Sequence, residues 1–114
     1  MVSHIKIHKA TGIWTVRAGG AVLGETANAL ELVEGQAEPI VFFPRDDIAM
    51  AFLDATEMTS HNPSIGEASY FSVVTKSRTL ENVVWSYTDP KEVAVQLRDH
   101  LAFHNIEEIT IENI

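Results

Sequence analysis

The stretch Pro39-Ile40-Val41-Phe42-Phe43-Pro44 constrains the fold more than any other part of the chain. Four consecutive apolar residues are too few for a self-sufficient helix, and a proline stands at each end of the run. Branched and aromatic side chains suit a pleated surface. The run therefore predicts a short strand buried on both faces, and a chain holding such a strand is built around a sheet.

The residues on either side extend that expectation. His4-Ile5-Lys6-Ile7-His8 alternates polar and apolar residues with period two, the pattern of a half-buried strand. Ile13 to Ala18 and Ala21 to Glu25 read as a hairpin across Gly19-Gly20, a pair suited to the positive φ angles of a tight turn. Ala29 to Glu34 reads both ways, since Leu30 and Leu32 alternate while Ala, Leu and Glu favour helix. Asp46 or Asp47 is expected to cap a short helix near 46–53, with Ile48, Ala51 and Phe52 on one side. Thr56 to Glu67, rich in Ser, Thr, Asn, Pro and Gly, reads as a loop. Ser69 to Thr75 and Leu80 to Thr88 form a second hairpin pattern across Lys76-Ser77-Arg78-Thr79.

Asp89-Pro90-Lys91-Glu92 predicts a helix start, with Asp as cap and Pro at the first helical position. Val93, Leu97 and Leu101 follow at four-residue spacing, so one helix is expected near 90–100. Leu101 to His104 turns toward a strand, and Glu107 to Glu112 alternates again. The outward faces of the first and last strands carry His4, Lys6 and His8 against Glu108, Thr110 and Glu112. Opposite charges on neighbouring strands attract, which predicts that the two chain ends pair in one sheet. The sum is a mainly β single domain over residues 1–114: compact antiparallel sheets, barrel- or tent-like, with one C-terminal helix.

Composition narrows the function. With 114 residues, 46% of them hydrophobic, the chain can bury a core without a metal or disulfide. Cysteine is absent, which removes disulfides, thiolate nucleophiles and cysteine metal sites, and suits a reducing cytoplasm. Met1 to Lys6 lacks the apolar stretch of a secretory leader, so a cytoplasmic location is the expectation. Sixteen acids against eight bases give a formal net charge of −8. That charge repels phosphate backbones and anionic lipid, so neither nucleic acid nor membrane is an expected partner. Glycine-rich phosphate loops, G-x-S-x-G and H-E-x-x-H are missing. The pairs His4/His8 and His100/His104 have metal-like spacing, but the first sits on a polar strand face and the second straddles a helix end. No metal or cofactor is expected.

Three polar constellations remain. His61-Asn62-Pro63-Ser64-Ile65-Gly66-Glu67-Ala68-Ser69-Tyr70 gathers an imidazole, an amide, hydroxyls, a carboxylate and a phenol around a glycine. It reads as a binding loop with His61 as acid–base candidate, or as an ordinary connection whose Asn-Pro and Ser-x-Gly make turns. Arg45 could hold an anion and Asp46 and Asp47 a magnesium ion, or the two acids could cap the next helix. Trp85 and Tyr87 share a strand face, as a pocket wall or as core.

The ordered set Ala29-Leu30-Glu31-Leu32-Val33-Glu34, Val41-Phe42-Phe43-Pro44-Arg45-Asp46-Asp47-Ile48, Pro63-x-x-Gly66-x-Ala68-x-Tyr70-Phe71-Ser72-Val73, Asn82-Val83-Val84-Trp85-Ser86-Tyr87-x-x-Pro90 and Ala102-Phe103 resembles the domain of unknown function 427 family. The resemblance spans nearly the whole chain and implies a compact β-rich domain with one late helix. The family sometimes carries a nucleotidyltransferase label, whose usual Gly-Ser pair and Asp-x-Asp are missing here. Family members commonly place Cys-Pro-aromatic-Lys-Gly where this chain has Asn62-Pro63-Ser64-Ile65-Gly66. The resemblance thus points to Glu34, Arg45, Asp47, Gly66, Tyr70, Trp85 and Tyr87 as residues of a shared pocket.

The leading expectation is a domain that binds a small polar or anionic molecule between the 61–70 loop, the Arg45–Asp47 corner and the Trp85/Tyr87 strand. Arg45 would meet the ligand's head group, His61, Asn62 and Ser64 would supply polar contacts, and the aromatics a wall. Two alternatives stand beside it. One is an enzyme acting on a nucleotide or phosphate ester, with His61 or Asp47 as base. The other is a homodimeric interaction module using a sheet edge or exposed aromatics.

Overall fold

A computed structural model describes residues 4–114. Met1–Ser3, the opening of the stretch read for a leader, lie outside the described residues. Ten strands follow one another: β1 (Ile5–Lys9), β2 (Trp14–Ala18), β3 (Ala21–Thr26), β4 (Leu30–Glu34), β5 (Ile40–Pro44), β6 (Leu53–Asn62), β7 (Gly66–Val74), β8 (Thr79–Tyr87), β9 (His100–Phe103) and β10 (Ile109–Asn113). Seven form an open antiparallel sheet in the order β1-β4-β5-β9-β8-β7-β6, and three form a second sheet, β10-β2-β3. Neither closes into a barrel. Among the described residues no helix is long and apolar enough to cross a membrane.

The proline-bracketed run is β5, paired with β4 on one side and β9 on the other. Phe42 and Phe43 are both fully buried, and alternation sends them to opposite faces. Phe43 joins Val16, Leu23, Val84 and Leu101 in the core between the two sheets. Phe42 joins Leu32, Tyr70, Tyr87 and Leu97 in a second cluster on the other face of the large sheet. One strand thereby anchors both hydrophobic layers. β3 meets the segment that follows β5 closely at Gly24, which bridges to Ile48. A Cβ there would fall 2.5 Å from Ile48 Cδ1 and 2.7 Å from the Asp47 carbonyl oxygen, so glycine alone lets the backbones approach this far.

The ambiguous segment Ala29 to Glu34 resolves as strand β4, and both expected hairpins form. The chain ends do not pair. β1 pairs with β4, while β10 pairs with β2 in the other sheet. Charge matching operates, but with other neighbours: His8 Nε2 lies 2.7 Å from Glu31 Oε1, and Arg17 Nη2 donates to Glu112 Oε1 at 3.1 Å.

Thr56 to Glu67 is not a loop; β6 and β7 run through it and turn only at Asn62–Gly66. β6 is an edge strand with mostly exposed side chains, so it shows no apolar phase by which to recognise it. Its register with β7 shifts between Ala55 and Thr59, a bulge that further blurs the pattern.

The helical expectations contract to 3-10 turns at Arg45–Asp47, Met50–Phe52 and Glu92–Leu97. Asp46 and Asp47 make no side-chain cap bond; Asp47 Oδ2 instead accepts from the Thr26 hydroxyl at 2.7 Å. Asp89 is likewise no cap, since its carboxylate accepts from Arg98 at 3.2 Å. The last turn breaks at Ala94, leaves Val93 49% exposed, and buries only Ala94 and Leu97. Leu101 belongs to β9, between β5 and β8, where ladder hydrogen bonds claim the backbone that a longer helix would need.

Candidate functional site

Strand parity decides which of the sequence-selected residues meet. Tyr70 stands opposite Trp85 and Ala68 opposite Tyr87 in the β7–β8 ladder, so Tyr70, Trp85 and Tyr87 share one face. Asn62 is opposite Gly66 and Ser60 opposite Ala68, which places both on that same face. Glu34 arrives from β4, two residues beyond the buried Leu32 of the same cluster. The turn between β6 and β7 is held tightly: Asn62 Oδ1 accepts the Ser64 N–H at 2.9 Å, and Ile65 is fully buried. The Ile65 carbonyl accepts the Lys91 N–H at 2.7 Å, and Lys91 Nζ donates to the Pro63 carbonyl at 2.6 Å. Gly66 has φ +130, and a Cβ there would meet the Asp89 carbonyl at 3.4 Å.

The polar groups of this face are linked. Asn62 Nδ2 donates to Glu34 Oε2 at 3.1 Å, and the Ser60 and Tyr70 hydroxyls lie 3.0 Å apart. Burial pushes the Tyr87 phenol above its ordinary pKa of 10.0; the Asn62 and Trp85 side chains oppose this as hydrogen-bond partners, while Glu34 and Tyr70 add to it. Phe42 floors the cluster, edge-on to Trp85 at 6.3 Å and tilted against Tyr87 at 6.2 Å. Tyr70 and Tyr87 are buried, Glu34, Asn62 and Trp85 half-buried. The result is a patch of hydrogen-bonding groups over aromatic rings, with one carboxylate.

Three selected residues lie elsewhere. Arg45 holds its guanidinium over the Phe71 ring at 5.8 Å, and Phe71 points away from the face that carries Tyr70. Asp47 is engaged by Thr26 at the junction of the sheets. His61 is exposed and opposite Glu67, on the side of β6 away from Asn62. The proposed convergence of Arg45, His61 and Tyr87 therefore does not occur, because neighbouring strand residues point to opposite faces. Ser64 stays in the turn beside Asn62.

One residue of the patch enters the sequence reading only through its metal-like spacing with His100. His104 stacks on Tyr70 with ring centroids 6.4 Å apart and meets Trp85 at 4.8 Å. Reading β9 onward by parity would have found it, since Ala102 is opposite Trp85 and His104 is two residues on. Among the described residues no three His, Asp or Glu side chains cluster closely enough to hold a metal ion.

No curated protein matches the chain. The family described as Domain of unknown function (DUF427) matches residues 6–112, from the first strand to the last. That span covers both sheets and every residue of the aromatic patch, and the chain belongs to this family.

Proposed function

We propose that the protein is a binding domain for a small polar molecule, held at the patch of Glu34, Asn62, Tyr70, Trp85 and Tyr87. The observation that carries this reading is the two hydrogen bonds, Asn62 to Glu34 and Ser60 with Tyr70, set on one face above aromatic rings. Directional groups over an apolar floor are the usual make-up of a small-molecule site. Glu34 is the carboxylate within the network, and Arg45 faces elsewhere, so the ligand is neutral or carries a positive group.

Thermal-shift screening against metabolites and nucleotides tests it, because a ligand of the native state raises the melting temperature. The protein has two tryptophans, so Trp14→Phe leaves Trp85 as the sole indole reporter. A true ligand shifts the melting temperature, changes Trp85 emission in that variant, and loses affinity in Glu34→Gln. Hits that leave Trp85 emission unchanged and bind Glu34→Gln equally well defeat the reading.

A further inference from the structure

A hollow of about 640 Å³ opens between the β2–β3 turn, the β7–β8 turn and the approach to β10. It lies at the far end of β8 from the aromatic patch. Leu80, in its lining, is seven residues from Tyr87, roughly 20 Å at the usual strand rise. Its volume is that of a site for a small organic ligand.

Two properties give the hollow a chemical preference. Its lining includes Ala18, Phe52 and Leu80, a carbon surface continuous with the main core. The Gly19-Gly20 turn adds no side chain, and a Cβ on either glycine would meet nothing within 4 Å, so the space stays open. The rim carries Lys76 and Arg78, two residues apart, against the one carboxylate of Glu108, a cationic balance in a chain of formal net charge −8. Arg78 is held by Glu108 at 3.1 Å. Lys76 is exposed and enters no ion pair among the described residues.

We propose that this hollow binds a small amphipathic anion, its apolar body against Phe52 and Leu80 and its carboxylate or sulfonate at the Lys76 ammonium. Charge complementarity selects this occupant: a neutral body of the same shape forgoes the Lys76 contact, and a cationic one meets the unpaired Lys76 ammonium. Glu108 occupies Arg78 and opposes the ligand's charge. It limits affinity without blocking entry.

The test uses the full chain with anilinonaphthalene sulfonate as the fluorescent probe, and phenylnaphthylamine as its uncharged counterpart. The sulfonate binds saturably, decanoate displaces it, and decyltrimethylammonium does not. Lys76→Gln weakens the sulfonate by about three- to fivefold, as for a solvent-exposed charge contact, and leaves the uncharged probe within about twofold. Glu108→Gln tightens the sulfonate, a gain that a merely structural ion pair would not give. Gly20 lacks the positive φ of Gly19, so Gly20→Leu adds a branched side chain to the lining without the strain of a positive φ and weakens both probes. Glu34→Gln changes none of these results, which keeps this site separate from the aromatic patch. Equal effects of Lys76→Gln on both probes, displacement by the cationic amphiphile, or affinity for both probes left unchanged in a folded Gly20→Leu protein overturns the proposal.

Discussion

Asn62 and Glu34, 28 residues apart in the chain, are joined by a 3.1 Å hydrogen bond from amide nitrogen to carboxylate oxygen. The bond ties the β6–β7 turn to β4, across a sheet in which those strands are not neighbours. Asn62 also accepts the Ser64 N–H, so one side chain serves the turn and the long-range contact together.

Asn62→Leu removes both bonds and is expected to lower stability by about 1–2 kcal/mol, read from the urea midpoint. It also removes a partner that opposes the rise in the Tyr87 pKa, so the Tyr87 phenol should ionise at higher pH still. Ultraviolet titration of the phenols reads the second effect.

Tyr87 makes stability fall in alkali. Its pKa is raised in the folded protein, chiefly by burial, so above pH 10.0 the unfolded chain releases this proton before the native state does. The contribution is fully present below that pH and is lost as pH rises through the folded-state value. Denaturant unfolding of Tyr87→Phe should therefore show a shallower alkaline loss than the parent. Parallel curves would refute this.

Gly24→Ala forces a methyl group against Ile48 and the Asp47 carbonyl, and should cost about 1–3 kcal/mol. Adding Ile48→Val relieves only the side-chain half of the clash, so the double variant recovers in part. A double-mutant cycle measures the recovery.

The ion pair of Arg17 and Glu112 is half-exposed on both sides. Solvent screens such a pair, and Glu112→Gln should change stability by less than about 1 kcal/mol. Urea melts at low and high salt check this, and the two values should converge as salt rises.

How far the sequence reveals the fold depends on where each segment lies in it. β5 is legible because both of its faces are buried, and only a strand explains a short apolar run between prolines. The two hairpins are legible from alternation and from turn residues. β6 is hidden because an edge strand satisfies its backbone on one side and leaves most side chains in water, so its composition resembles a loop. The Asp89-Pro90 signal describes a local preference that β9 overrides by taking the following residues into the sheet. Within the site, parity already grouped Trp85 with Tyr87. Glu34 follows from the resemblance and Asn62 from the chemistry of its turn, while their contact depends on how the sheet curves. His61 escapes the sequence reading because nearness to Asn62 ignores the two-sidedness of a strand, and Arg45 because the turn after β5 carries it over Phe71.

The large sheet is joined at its middle by β9, four residues that pair with β5 on one side and β8 on the other. Those residues, 100–103, come after every other strand of the large sheet in the sequence. During synthesis the β1-β4-β5 ladder and the β8-β7-β6 ladder exist as two separate pieces, each with an unfilled border. A chain halted before His100 leaves the borders of β5 and β8 unpaired, together with the apolar faces beside them, and such borders are open to wrong pairing. Arrival of that one tetrapeptide closes both borders at once.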